Sequence, residues 1–266
     1  MTMLEKKVAV IYGGGGVIGS AIARVFAREG AQVFLAGRTH ARIDQVAKSI
    51  ARNGGQADAT VADAADEHDV SRHLDEVVGR AGRLDILVNA VGIPHVQGPP
   101  LAELKTDEFM APVLGHLRTL FITTRAAAPY LAANRSGVVL TLSTPGARLT
   151  GRGFLGNGVA SAAVEAFSRI MAGELGPDGV RVVCIRPHAM PESLGGSHLT
   201  AAFAGMAERA GTTAEAWLAG VAAQGTLLGY LPTPDDVAEY AAFAASDRAR
   251  TMTGAIANLT SGSVVD

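Results

Sequence analysis

The chain has one cysteine and four tyrosines in 266 residues, and each scarcity closes something off. The lone Cys184 forbids an internal disulfide and fits a reducing compartment. It lies inside the apolar stretch 180–185, which reads as a buried structural thiol rather than a nucleophile. Charge is scarce as well: 18% of residues are charged, the formal net charge is −2, and no basic block occurs. Nucleic acid and anionic membrane are therefore poor partners. Apolar runs such as Ala241–Ala245 fall far short of the ~20 residues a membrane helix needs. The opening Met-Thr-Met-Leu-Glu-Lys-Lys lacks the apolar core of a secretory leader, so a cytoplasmic protein is expected.

Glycine and small apolar residues are plentiful: 32 glycines, with 48% of the chain hydrophobic, suit one compact domain with many tight turns. Apolar runs at 8–12, 32–36, 57–62, 84–88, 137–142, 181–185 and 256–259 read as strands. They are near-continuously apolar, as in a parallel sheet covered on both faces. Stretches with 3.6-residue apolar spacing alternate with them at 21–29, 41–53, 67–81, 109–134, 159–175 and 234–246. Pro112 marks either an early kink or a first-turn position in the fourth of these helices. Gly30, Gly54 and Gly82 fit left-handed helix ends. The alternation predicts an α/β fold: a single-domain, doubly wound parallel sheet of the Rossmann type with helices on both faces. The segment 193–229 breaks the pattern and is too apolar for a plain loop. It reads either as a helical flap over a pocket or as an oligomer contact.

The stretch "VAVIYGGGGVIGSAIARVF" sets Gly13, Gly14, Gly15 and Gly16 directly after the first strand, with Ile18 and Gly19 opening the helix. Glycine is needed where backbone must approach a pyrophosphate or take positive φ, and a helix N-terminus offers free N–H groups to the anion. On these residues the chain resembles the short-chain dehydrogenase/reductase family, whose fingerprint is Gly-x-x-x-Gly-x-Gly; Gly13 and Gly19 match, while Val17 stands at the middle glycine. The resemblance runs along essentially the whole chain. It places Asp63 of "VADAAD" at the adenine amino group. It also aligns "DILVNAVG" with the family's Asn-Asn-Ala-Gly element, of which Asn89 and Gly92 remain. At the end of the second strand a carboxylate would bind the ribose of NAD, but this chain reads "FLAGRTHAR". Arg38, with Thr39 and Arg42 beside it, suits the 2′-phosphate of NADP. NADP(H) is therefore the expected cofactor, ahead of NAD.

In the family, a tyrosine, a lysine four residues on, a serine and an asparagine carry the chemistry. The fixed points "AAVEAF" and "LTLSTPGA" align those sites with Asn157, Ser161, Thr144 and His116 respectively. No lysine follows any tyrosine of this chain at helical spacing. An asparagine amide donates a hydrogen bond but supplies no proton at neutral pH. Ser161 would face the nicotinamide ribose without the lysine's charge. Replacement proton carriers are His116, His188 in "CIRPHAMPES", and His95 on the loop after the fourth strand, with Arg148 and Arg152 as candidates to bind an anionic substrate. No metal-ligand spacing is present. Two functions follow as expectations. One is an atypical NADP(H)-dependent oxidoreductase acting on a small, mostly apolar substrate, with His116 or His188 handling protons and Thr144 and Asn157 binding the substrate. The other is a non-redox protein on the same fold: a lyase, isomerase or cyclase, or a cofactor-binding regulator. The resemblance also implies a homotetramer or homodimer built on the helices at 109–134 and 159–175.

Overall fold

Alternate residues of each buried strand feed two different cores. In β1 (Val8–Tyr12) every residue is buried, with Ala9 and Ile11 facing one cluster and Val8, Val10 and Tyr12 the other. The computed structural model describes residues 2–195 and 197–266. Seven parallel strands form one sheet in the order β3-β2-β1-β4-β5-β6-β7. The remaining strands are β2 (Gln32–Gly37), β3 (Gln56–Val61), β4 (Ile86–Asn89), β5 (Val138–Leu142), β6 (Arg181–Pro187) and β7 (Ala255–Leu259).

Helices cover both faces. On one lie α1 (Val17–Arg28), α2 (His40–Arg52) and α8 (Pro234–Ala245), whose Ile22, Phe26, Val46 and Val237 pack on Ile11, Leu35 and Ile185. On the other lie α3 (Glu67–Ala81), α4 (Thr106–Ala133) and α5 (Leu155–Leu175), whose Leu74, Leu131 and Leu175 meet Val10, Phe34 and Val139. The sheet's order reverses between β1 and β4, and the crevice beyond their carboxyl ends is where such folds bind ligands. Each strand and helix read from the sequence is present, with ends displaced by at most four residues. Periodicity marks the buried middle of an element, whereas caps set its ends.

Pro112 is the seventh residue of α4, so of the two expected roles the first-turn one does not hold. Its ring leaves the Glu108 carbonyl without its usual i→i−4 partner. Gly30, Gly54 and Gly82 take φ of 91°, 81° and 74°, the left-handed ends expected of them. The 193–229 segment folds as α6 (Thr200–Arg209) and α7 (Ala214–Gly225), entered through a short 3₁₀ turn at Pro191–Leu194. Of the paired glycines at its start, Gly196 lies outside the described residues. Cys184 is fully buried in β6, and burial pushes its thiol pKa up.

His73 of α3 is 1% exposed and meets the Tyr12 hydroxyl at 3.2 Å. Burial lowers its pKa to about 4, against an ordinary value of 6.5. The unfolded chain therefore binds the proton more readily than the fold does. Stability is full above the unfolded value and is lost as pH falls from there toward about 4. At ~1.4 kcal/mol per pH unit between the two values, the loss is at most on the order of 3 kcal/mol. Thermal melts over this range should show the decline, and His73→Phe should make it shallower.

Candidate active site

The turn between β1 and α1 is shaped by what glycine lacks. Gly13 has φ of 81°, and a Cβ there would lie 2.2 Å from the Ala90 carbonyl oxygen. At Gly19 a Cβ would lie 2.3 Å from the Gly13 carbonyl oxygen. The two glycines thus let α1, its leading turn and the chain after β4 close on one another. Gly16 caps α1 in extended backbone, without a side-chain cap, and the first turn carries no acid. The helix N-terminus keeps its free N–H groups and positive dipole end for an anion.

A cavity of about 920 Å³ runs from this turn along the sheet's carboxyl edge. Its walls include Gly13, Gly15, Gly16, Val17, Ile18, Arg38, Thr39, Asp63, Asn89 and Gly92. Gly19 and Ser161, also expected at the cofactor, do not line it. Gly19 sits behind Gly13, and Ser161 is buried one helical turn below Asn157. Arg24, Arg38, Arg42 and Arg52 all stand at the β1–β2 end, and Asp63 is the one carboxylate among the described lining residues. Asp63 accepts the Ala65 N–H at 3.0 Å through one oxygen. Asn89 accepts from Thr123 Oγ1 at 2.7 Å, while its buried Nδ2 has no partner. The cradle fits a phosphorylated dinucleotide: glycines where a Cβ would clash, an uncapped helix N-terminus, and four arginines in the lining against one carboxylate.

Beyond the glycine turn, the wall carries a closed hydrogen-bond group. Thr144 Oγ1 accepts from the Gly146 N–H at 3.2 Å and from Asn157 Nδ2 at 3.3 Å, so it donates its own proton to Ser161 Oγ at 2.8 Å. Its capacity is then full. Thr144 therefore orders the wall and keeps no hydrogen-bond capacity for a substrate, whereas the Asn157 amide keeps a second N–H and its oxygen. Ser143, next in the wall, donates to the buried Glu165 at 3.0 Å. Glu165 is held by Arg186 through bonds of 2.7 and 3.0 Å, and Arg186 also grips Asp266. Both Glu165 and Arg186 are buried, so removing either partner would strand a charge. No lysine lines the cavity among the described residues, and its one tyrosine, Tyr12, is bonded to His73, with burial holding its phenol far above the ordinary value.

Four histidines line the cavity: His95, His116, His188 and His198. The first three were expected from the sequence. His198 was not, because it lies on the irregular segment before α6, where no periodicity or motif singles it out. His95 is tied at Nδ1 to the Ile93 carbonyl at 3.0 Å and at Nε2 to Gln97 at 2.9 Å, which commits both nitrogens. His188 accepts the Ala189 N–H on Nδ1 at 2.6 Å, leaving Nε2–H as a fixed donor. Burial, with the neighbouring His95 and His198, lowers His116 to about 4; burial alone does the same for His188. Both are neutral at pH 7. Arg148 and Arg152 lie outside the lining, and Arg148 turns toward Asp266 instead. Among the described residues, no group of three His, Cys, Asp or Glu side chains is arranged to hold a metal, and no helix is long and apolar enough to cross a membrane.

Residues 15–263 match the family model described as "Enoyl-(Acyl carrier protein) reductase". An uncharacterized oxidoreductase of Mycobacterium tuberculosis is 35% identical over 257 residues, covering 96% of this chain and 90% of that protein. The (+)-borneol dehydrogenase 2 of Salvia officinalis is 32% identical over 253 residues, covering 93% and 86%. Among solved structures, a 3-ketoacyl-(acyl-carrier-protein) reductase from Brucella melitensis, complexed with NADH, superposes with a TM-score of 0.82 at 29% identity and covers 98% and 100% of the two chains. The chain belongs to the short-chain dehydrogenase/reductase family of oxidoreductases, whose fold binds a nicotinamide cofactor.

Gly13→Ala should lower the urea midpoint and abolish dinucleotide binding, since left-handed backbone alone costs alanine about 1–2 kcal/mol and the clash with Ala90 adds to it. Gly79→Ala on α3, where a Cβ meets nothing, should instead stabilise by about 0.5–1 kcal/mol. Urea titrations of both variants, with calorimetry of Gly13→Ala, check the pair.

Proposed function

We propose that this chain is an NADP(H)-binding oxidoreductase that moves hydride to or from a small, mostly apolar substrate without a tyrosine–lysine pair. The observation that carries this reading is the wall where the cationic and apolar halves of the cavity meet. It presents Thr144, Asn157 and His116, and neither a free phenol nor an ammonium. Arg38 and Thr39 would hold the 2′-phosphate, the α1 N-terminus the pyrophosphate, and the free oxygen of Asp63 the adenine amino group. Bound there, the nicotinamide dinucleotide supplies or takes up hydride. Asn157 donates its remaining N–H to the substrate oxygen, and His188 offers its fixed Nε2–H. His116 is neutral, so in alcohol oxidation it accepts the hydroxyl proton as the carbonyl forms. In the reverse direction it first has to gain a proton, which its lowered pKa makes harder.

The non-redox alternative keeps one supporting observation: Thr144 and Ser161 satisfy one another, which leaves that part of the wall polar but inert. Product formation without NADPH consumption would favour it. The exposed Leu114 and Phe121 of α4, and Val159 and Ile170 of α5, support a homodimer or homotetramer joined through these helices. A cytoplasmic protein with a small-molecule substrate, and with neither nucleic acid nor membrane as partner, completes the proposal.

Calorimetry should show NADPH binding at least tenfold tighter than NADH, and Arg38→Asp should reverse the order. Equal affinities in the parent chain would overturn the cofactor assignment. In assays of alcohol oxidation, His116→Ala should lower kcat about 10²–10⁴-fold, with dinucleotide affinity unchanged. Unaltered turnover would remove His116 from the reaction.

A further inference from the structure

The flap delivers a histidine for which the reaction above has no use. His198 lies just ahead of α6, and its ring packs on Gly92 so closely that a Cβ on that glycine would sit 2.3 Å from two ring atoms. It also stands 6.3 Å, centroid to centroid, from His95. The protons of His95 and His188 are assigned by their neighbours. His116 on α4 and His198 on the flap are different: neither ring has a hydrogen-bond partner among the described residues, and both line the same cavity. A neutral imidazole donates from one nitrogen and accepts at the other, so two of them can meet any oxygen, whether it arrives with a proton or without one.

Charge decides what that oxygen belongs to. From Asn89 to the flap, the described lining contains no lysine, arginine, aspartate or glutamate. The flap adds Phe203 and Trp217, whose rings lie 5.8 Å apart, together with Leu199 and Val221. A carboxylate here would find no counter-charge, a lack that costs a ketone or alcohol nothing. Arg148 and Arg152, which could have supplied one, are outside the lining.

We propose that His116 and His198 form a two-imidazole clamp on a single oxygen, and that this end of the cavity takes an uncharged apolar molecule bearing a carbonyl or hydroxyl group. The proposal rests on the reading of this end as the substrate end, but it needs binding only and no hydride transfer. His198 would be a specificity residue carried by the flap, in register only because Gly92 has no side chain.

Trp217, the only tryptophan of the chain, lines the cavity and reports occupancy by its fluorescence. The probes are two matched trios, one built on cyclohexane and one on tetralin, each as ketone, alcohol and carboxylate, titrated with and without NADPH. Ketone and alcohol of at least one trio should quench Trp217 at least tenfold more tightly than the carboxylate. His198→Ala should weaken them roughly five- to tenfold, the size of one lost hydrogen bond, and leave the carboxylate unchanged. Gly92→Ala should reproduce that loss without NADPH, by displacing the ring. Thermal melts identify a variant that fails to fold, in which case His198→Gln, which keeps a donor and an acceptor, decides by retaining most of the affinity. Tightest binding by the carboxylate, unchanged ketone affinity in His198→Ala, or no quenching by any probe would overturn the clamp. Consumption of NADPH with unchanged ketone affinity in His198→Ala refutes the clamp alone. Ketone binding that depends on His198 but consumes no NADPH refutes the hydride reading alone.

Discussion

Everything in the site hangs on one close approach, that of the Gly13 backbone to the Ala90 carbonyl, with Gly19 closing on Gly13 from behind. β1 and β4 are neighbours in the sheet although three helices and two strands separate them in sequence. The turns that leave them diverge to opposite faces of the sheet, which opens the crevice. A side chain at either glycine would force these turns apart and withdraw the α1 N-terminus from the anion it is set to receive. The fold is thus most constrained where it has the fewest side-chain atoms. Val17, at the family's middle glycine, is tolerated because it begins α1 and faces the cavity instead of the turn behind it.

The same switch point divides the cavity electrostatically. On the β2–β3 side, α1, α2 and the β2 end contribute arginines around a single carboxylate; on the β4–β6 side the lining is neutral. An elongated ligand with an anionic end and an uncharged end is oriented by this division before any specific contact forms. Neutral histidines belong on the second side for the same reason. A cationic imidazole there would be poorly solvated, and burial, aided at His116 by its histidine neighbours, keeps the rings unprotonated.

The fold was legible because parallel strands covered on both faces leave an unbroken apolar signature, as in the all-buried "VAVIY" of β1. The glycine turn was legible for a related reason: an approach as close as that of Gly13 to the Ala90 carbonyl demands glycine, so residue type alone carries the message there. The neutral end of the cavity was not. Whether Arg148 faces the cavity or Asp266 is decided by a loop path that leaves no periodic trace. The commitment of His95 depends on Gln97, two residues on, meeting the far nitrogen of its ring. His198 was invisible because its partner in packing, Gly92, lies more than a hundred residues earlier in the chain. Histidine count alone could not separate the two locked rings from the two open ones.

The hydrogen-bond group around Thr144 is ordered without a titrating member. Thr144 binds Asn157, Ser161 and the Gly146 N–H at once, so none of these small polar groups depends on a phenol or an ammonium for satisfaction. Immediately beneath, Ser143 is anchored to Glu165, which Arg186 clamps with two bonds while holding Asp266 with its other arm. A buried ion pair of this kind adds little net stability when intact but is costly to break. Its effect is to fix geometry: β5, β6, α5 and the chain's last residue are held in one arrangement, and Thr144 and Asn157 with them. Thr144 and Asn157 thus offer fixed hydrogen bonds, and neither side chain titrates near neutral pH.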